Sequence, residues 1–288
     1  MPLMSRRGFH EAGEACGAGR PHQSQTLARR RFCAAECVGL SMRLTIVGSG
    51  DAFGSGGRFN TCFFVESAKG TLLVDCGATS LVGLKAHGLD PNRIDGVVLS
   101  HLHGDHFGAL PFLLLDAQFL AQRERPLLIA GPPGTRARLD AALEVFFPRS
   151  TANKWRFSWK VMEIEVGRET EVLGHSVSTT EVVHYSGAPS TALRLSDGKT
   201  MFAYSGDTEW VDALVSVADG ADLFIVECYG YSGHMPGHLS WEVLEPRLPD
   251  LRARRIMLTH MSPLMLAHLD QVRAAGVLVA EDGAVIEF

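Results

Sequence analysis

Four of the six residues in the run His101-Leu102-His103-Gly104-Asp105-His106 carry side chains that bind metal ions. The run follows a short apolar segment, Gly96–Leu99, and precedes a longer one with helical spacing that begins near Phe107. A strand leading in and a helix leading out place the run at the carboxyl end of a strand. His101 and His103 are two residues apart, so an extended backbone aims both imidazoles the same way. Gly104 is expected to turn the chain and return Asp105 and His106 to the same point. One histidine here would read as an ordinary polar loop residue, and Asp105 alone as a helix N-cap. Three imidazoles and one carboxylate exceed what capping needs, and with further ligands they can serve two cations.

The rest of the sequence fits a globular enzyme. Of 288 residues, 46% are hydrophobic and 20% charged, which is unlike a disordered chain. No run of about 18 apolar residues occurs, so no membrane-spanning helix is expected. Residues 1–41 differ from the remainder: six arginines stand against three glutamates, giving +3 and leaving −8 on residues 42–288. This segment shows neither helical nor strand periodicity and reads as a disordered tail or a non-native extension. Arg6-Arg7 faintly resembles an export signal, but no apolar segment follows, so export is not expected. Cys62, Cys76 and Cys228 lie in apolar contexts without a CxxC pair and read as buried thiols of a reducing, cytoplasmic compartment.

From Met42 onward, short β-branched and aromatic runs alternate with helical patterns. Strands are expected at Leu44–Val47, Cys62–Glu66, Thr71–Asp75, Gly96–Leu99, Leu127–Ala130, Lys160–Val166, Ala192–Leu195, Thr200–Tyr204, Leu223–Val226, Arg255–Leu258 and Val277–Val279. Helices are expected at Phe107–Gln122, Pro133–Phe147, Leu239–Leu251 and Pro263–Ala275. Such alternation implies an α/β fold in which two mixed sheets pack together with helices outside, residues 42–288 forming one domain.

The hexapeptide has the form His-x-His-x-Asp-His, and in this it resembles the metallo-β-lactamase-fold hydrolases. That resemblance implies an αβ/βα sandwich of two mixed β-sheets flanked by helices, and three more ligands downstream. His184, Asp207 and His260 each follow a β-branched or apolar run in the order and spacing the superfamily uses. By resemblance, His101, His103 and His184 would hold one divalent metal ion, Asp105, His106 and His260 a second, and Asp207 would bridge them. Zinc suits these ligands, and manganese or iron also fit. A water bridging two cations is deprotonated near neutral pH and would be the nucleophile, with Asp105 among the catalytic residues.

Within the superfamily the chain resembles the phosphodiesterase branch, tRNA 3′-processing endonuclease and the small cyclic phosphodiesterases, in Leu44-Thr-Ile-Val-Gly-Ser-Gly-Asp-Ala and Asn60-Thr-Cys. His238, 22 residues before His260, stands where that branch has a catalytic histidine facing the substrate phosphate. The basic arm that grips tRNA is missing: only 22 residues separate His184 from Asp207. With −8 on the folded region as well, tRNA is not expected as substrate. No cysteine-rich zinc site occurs near Asp51–Arg58 either. Arg58 and Ser186 read as ordinary surface residues. The expected activity is metal-dependent hydrolysis of a small phosphodiester, cyclic substrates included. The alternatives are a lactonase or other ester hydrolase and, from another class, a non-catalytic metal-binding module. By analogy with relatives a homodimer is expected, with Trp155, Phe157 and Trp159 offering an apolar contact or packing in the core.

Overall fold

The computed structural model describes residues 42–288; the expectation for residues 1–41 falls outside them. Among the described residues, fourteen strands form two seven-stranded mixed sheets. The first sheet takes β1 (Arg43–Gly48), β2 (Cys62–Ser67), β3 (Gly70–Val74), β4 (Gly96–Val98), β5 (Leu127–Gly131) and β6 (Trp159–Glu163). The second takes β7 (Glu169–Val172), β8 (His175–Glu181), β9 (Thr191–Ser196), β10 (Met201–Tyr204), β11 (Leu223–Glu227), β12 (Ile256–Thr259) and β13 (Leu278–Val279), and β14 (Val285–Glu287) returns to the first beside β1. Each sheet is antiparallel at one end and parallel at the other: β3 to β6 run parallel in the first, β10 to β13 in the second.

Strict alternation along the strands builds the layers. Phe63 and Val65 face the opposite sheet while Cys62 and Phe64 face outward; Phe202 and Tyr204 face inward while Ala203 faces out. The inward set forms the core between the sheets. There the ring of Phe63 meets Phe202 and Tyr204 edge-on, with centroids 6.1 and 5.2 Å apart. Truncating Phe63 would remove contacts from both sheets and cost about 3–5 kcal/mol. Outside the first sheet lie α1 (Ser80–Ala86), α2 (Gly104–Phe107), α3 (Leu110–Leu115) and α4 (Thr135–Phe146). Outside the second lie α5 (Ala213–Ala218), α6 (Trp241–Leu244), α7 (Pro263–Leu266) and α8 (Leu269–Ala274). None of the helices among the described residues is long and apolar enough to cross a membrane.

Several elements differ from expectation for identifiable reasons. The helix expected over 107–122 is broken into α2, α3 and a π-helical turn over Asp116–Leu120. Pro111 has no N–H with which to continue the ladder and instead sits in the first turn of α3. Pro246 and Pro249 likewise end α6 early in a 3-10 turn, Glu245–Asp250. The helix expected over 263–275 is interrupted at Ala267 and His268. Strands β7, β8 and β14 were not expected: β8 alternates buried and half-buried positions, but Ser and Thr occupy many of them and mute the signal. Phe157 is buried, and Trp155 and Trp159 stand edge-on to their neighbours against the same outer core, so these rings serve packing within the chain. Ser186 is not a surface residue; it is buried, with Oγ 3.0 Å from Ala188 O.

Candidate metal centre

The parallel strands β3, β4, β10, β11 and β12 deliver their carboxyl ends to one edge of the sandwich, where open α/β sheets bind their ligands. His101 and His103 follow β4, Asp207 follows β10, His260 follows β12, and His184 follows β8. Asp105 and His106 lie in α2. The turn between them differs from expectation. His103 is extended, Gly104 simply opens the helix, and a Cβ on Gly104 would meet nothing within 4 Å. The glycine the turn requires is Gly77, where a Cβ would stand 2.0 Å from Asp105 O.

All seven residues singled out as ligands from the sequence come together. Ligand atoms of His101, His103 and His184 lie within 4.8 Å of one another, as do those of Asp105, His106, Asp207 and His260. Asp207 Oδ2, a member of the second set, also reaches toward the first: it is 3.2 Å from His106 Nε2, 3.3 Å from His260 Nε2, 3.8 Å from His101 Nε2 and 3.9 Å from His184 Nε2. Two ligands about 2.0–2.1 Å from one tetrahedral cation stand about 3.3 Å apart, so these separations suit shared cations. The orphaned atoms agree. His101 Nε2, His106 Nε2 and Asp207 Oδ1 are buried with no hydrogen-bond partner, an arrangement that costs free energy unless a cation satisfies it. His103 Nδ1 and His184 Nε2 face each other at 2.9 Å. Burial holds the pKa values of His101, His103 and His184 below the ordinary imidazole range, the neutral state a metal ligand needs.

Two carboxylates not singled out from the sequence orient these groups. Asp75, just past β3, accepts from Ser100 N, Ser100 Oγ and His106 Nδ1, each at 2.8 Å. Its left-handed backbone, φ 59°, turns the carboxylate back under the hexapeptide, and His260 has the same φ. Asp75 thus fixes the tautomer that leaves His106 Nε2 facing the cluster. Glu227, the last residue of β11, is fully buried; its Oε1 accepts from Thr208 N and His238 Nδ1 at 2.9 Å, and Oε2 from Tyr229 N at 3.0 Å. A signal for both was present: each acid closes an otherwise apolar, buried strand at the edge where the ligands gather.

His238 lies at the rim, its side chain 23% exposed. Its ring stacks on His260, with centroids 5.5 Å apart, and is 4.9 Å from His184. Burial lowers its pKa, but the hydrogen bond and charge of Glu227 outweigh that and raise it to about 9. With Nδ1 committed to Glu227, Nε2 is the ring nitrogen left for a bound molecule. Of the two residues set apart from the site, Arg58 donates to Ala280 O at 2.7 Å and braces a loop.

The family model described as Anti-Pycsar protein Apyc1 matches residues 42–282. The chain is 26% identical over 226 residues to the probable metallo-hydrolase YhfI of Bacillus subtilis (strain 168), covering 76% of this chain and 87% of that protein. It is 28% identical over 240 residues to the Anti-Pycsar protein Apyc1 of Bacillus phage 010DV004, covering 76% and 89%. Against Ribonuclease Z of Mycobacterium bovis (strain BCG / Pasteur 1173P2) it is 26% identical over 193 residues, covering 64% and 69%. The crystal structure of Bacillus subtilis YhfI, a metallo-β-lactamase-fold protein, superimposes with a TM-score of 0.70 at 24% identity, over 86% of this chain and all of that one. The chain therefore belongs to the Anti-Pycsar protein Apyc1 family and is a metal-dependent hydrolase of the metallo-β-lactamase fold.

Proposed function

We propose that residues 42–288 form a phosphodiesterase domain that opens small phosphodiesters, cyclic ones included, with two divalent cations. His101, His103 and His184 would hold one, Asp105, His106 and His260 the other, and Asp207 both. Zinc is the first choice for such imidazole and carboxylate ligands, with manganese or iron as substitutes. The observation that carries this reading is the position of Asp207 Oδ2 within 4 Å of four imidazole nitrogens drawn from both ligand sets.

When bound, the cations acidify a water and polarise the phosphoryl oxygens. The chain's residues do the rest. As the water oxygen, its proton lost to solvent, bonds to phosphorus and the ester P–O bond breaks, protonated His238 Nε2 gives its proton to the leaving oxygen. Glu227 holds the other ring nitrogen, so the ring is aimed and its charged form favoured. Opening a cyclic diester this way yields one phosphomonoester and one free hydroxyl.

Two features support a small substrate. The 22 residues between His184 and Asp207 are largely taken up by β9, β10 and their turns, leaving no arm for a large partner. The charge of −8 on residues 42–288 also opposes a polyanion. Cys62, Cys76 and Cys228 are free and buried, which supports a reducing, cytoplasmic compartment.

Hydrolysis of bis(p-nitrophenyl) phosphate, with and without chelator and with zinc or manganese restored, tests the reading. Chelator-sensitive turnover is the expected outcome. Bound metal without turnover of this diester, together with cleavage of a lactone, would overturn the phosphodiester assignment.

A further inference from the structure

Glu209 lies two residues past Asp207, outside both ligand sets. Its N–H donates to Val183 O at 3.0 Å, and Val183 N–H donates to Thr208 Oγ1 at 3.2 Å. Glu209 is thereby fixed beside the segment that runs into His184. Its carboxylate reaches the strap between β11 and α6: Oε1 accepts from Gly237 N at 2.8 Å, and Oε2 is 3.2 Å from His234 Nε2.

Gly237 is gripped on its other side as well. Its carbonyl accepts from His184 Nδ1 at 2.7 Å. A ring nitrogen that donates to a carbonyl must carry the hydrogen, so His184 Nε2 keeps the lone pair, and that atom faces His103 Nδ1. Gly237 has φ +78°, and a Cβ there would stand 3.0 Å from His184 Nδ1. Only glycine lets the strap approach the ring this closely without strain. The next residue in the chain is His238.

We infer that Glu209 is a positioning residue: its Oε1 holds the Gly237 amide, and through that residue it fixes the tautomer and aim of His184 and the placement of His238. One carboxylate thus couples a ligand of the first metal set to the proton donor, although it hydrogen-bonds to neither ring. The inference rests on the metal-holding and proton-donating roles proposed above for those two histidines.

Comparison of wild type with Glu209→Ala and Glu209→Gln tests it. Gln keeps an acceptor oxygen for Gly237 N and loses the charge; Ala loses both. Three readouts are needed: backbone hydrogen exchange over residues 231–238, zinc affinity by competition with a chromogenic chelator, and kcat and KM on bis(p-nitrophenyl) phosphate. Outer partners of metal ligands typically contribute about 10–100-fold in affinity or activity. For Glu209→Ala, exchange in the strap is expected to rise, zinc affinity to fall about 10-fold, and kcat to fall about 10-fold with KM within about 2-fold. Glu209→Gln is expected to stay within about 3-fold of wild type on all three. Wild-type exchange and zinc affinity in Glu209→Ala would overturn the inference, as would a Glu209→Gln protein impaired as badly as Glu209→Ala. If wild type binds zinc but does not cleave the diester, the functional reading fails, while exchange and zinc affinity still decide the role of Glu209.

Discussion

The first half of the folded region supplies His101, His103, Asp105 and His106 from a single segment that leaves β4 and enters α2. The second supplies His184, Asp207, His238 and His260 from four separate turns spread over positions 184 to 260. In the first half the covalent chain sets the mutual distances. In the second they depend on the register of β10, β11 and β12, where Ala203 pairs with Phe224 and Ile225 with Met257, bringing three strand ends level. Correct assembly of the second half is therefore a tertiary event, and its candidate ligands meet the first set only because the two sheets pack through the core around Phe63, Phe202 and Tyr204. The halves also differ in exposure. His101 and His106 are fully buried, whereas His238 and the strap before it lie at the rim.

Asp207 is where the two contributions join, and removing it is expected to have the largest effect. In Asp207→Ala, cation content should fall from about two per chain toward one or none, and activity by about 10³-fold or more, since cation stabilisation of a phosphoryl transition state amounts to several kcal/mol. Elemental analysis beside a rate assay checks both. Two retained cations would mean that each half binds independently, and the comparison would break. His238→Ala should come next: kcat lower by about 10²–10⁴-fold at unchanged cation content. His238 also groups with His184 and Asp207 within 4.8 Å, so loss of a cation in this variant would make it a ligand and not a proton donor.

The same contrast explains what the sequence revealed. The hexapeptide was legible because its candidate ligands are local: spacing alone brings them together. His184, Asp207 and His260 carry no such internal evidence; each is one polar residue at a strand end, and only resemblance to a fold put them in one place. Asp75 and Glu227 escaped because their importance lies in the partners they meet across the sheet, Ser100 and His106 for one and Thr208 and His238 for the other. Most strands were legible through β-branched and aromatic runs. The helices were legible as patterns but not as continuous elements, because Pro111, Pro246 and Pro249 remove backbone donors without disturbing the apolar spacing.

Asp75→Asn probes the support of the first half. The amide puts an NH2 donor where the carboxylate receives hydrogens from Ser100 and His106, so one of those contacts must be lost and the His106 tautomer is no longer fixed. A loss of about 10–100-fold in metal affinity or activity is expected, smaller than for Asp207→Ala because the ligand itself remains. Isothermal titration with zinc measures it. An unchanged affinity would show that the hexapeptide needs no support from β3, making the first half more self-contained than its hydrogen bonds indicate.

The smallest expected effect concerns packing, and it asks whether the halves differ in solidity or only in how they distribute ligands. Cys62 and Cys76 lie in the first half and Cys228 in the second, all buried. Burial pushes the Cys62 thiol up to about 12 and raises Cys76 and Cys228 well above the usual range, with nearby carboxylates adding to the effect. At pH 8 a thiol with a pKa of about 12 is ionised only to about one part in 10⁴, and the thiolate is the reactive form. With Cys16, Cys33 and Cys37 changed to serine, the native protein should therefore show almost no reaction with a disulfide reagent, and three reactive thiols after denaturation. Equal protection of all three would place the difference between the halves in the positions of their ligands alone. Early reaction of Cys228 would show instead that the second half opens locally before the first, a looseness expected where assembly depends on strand register.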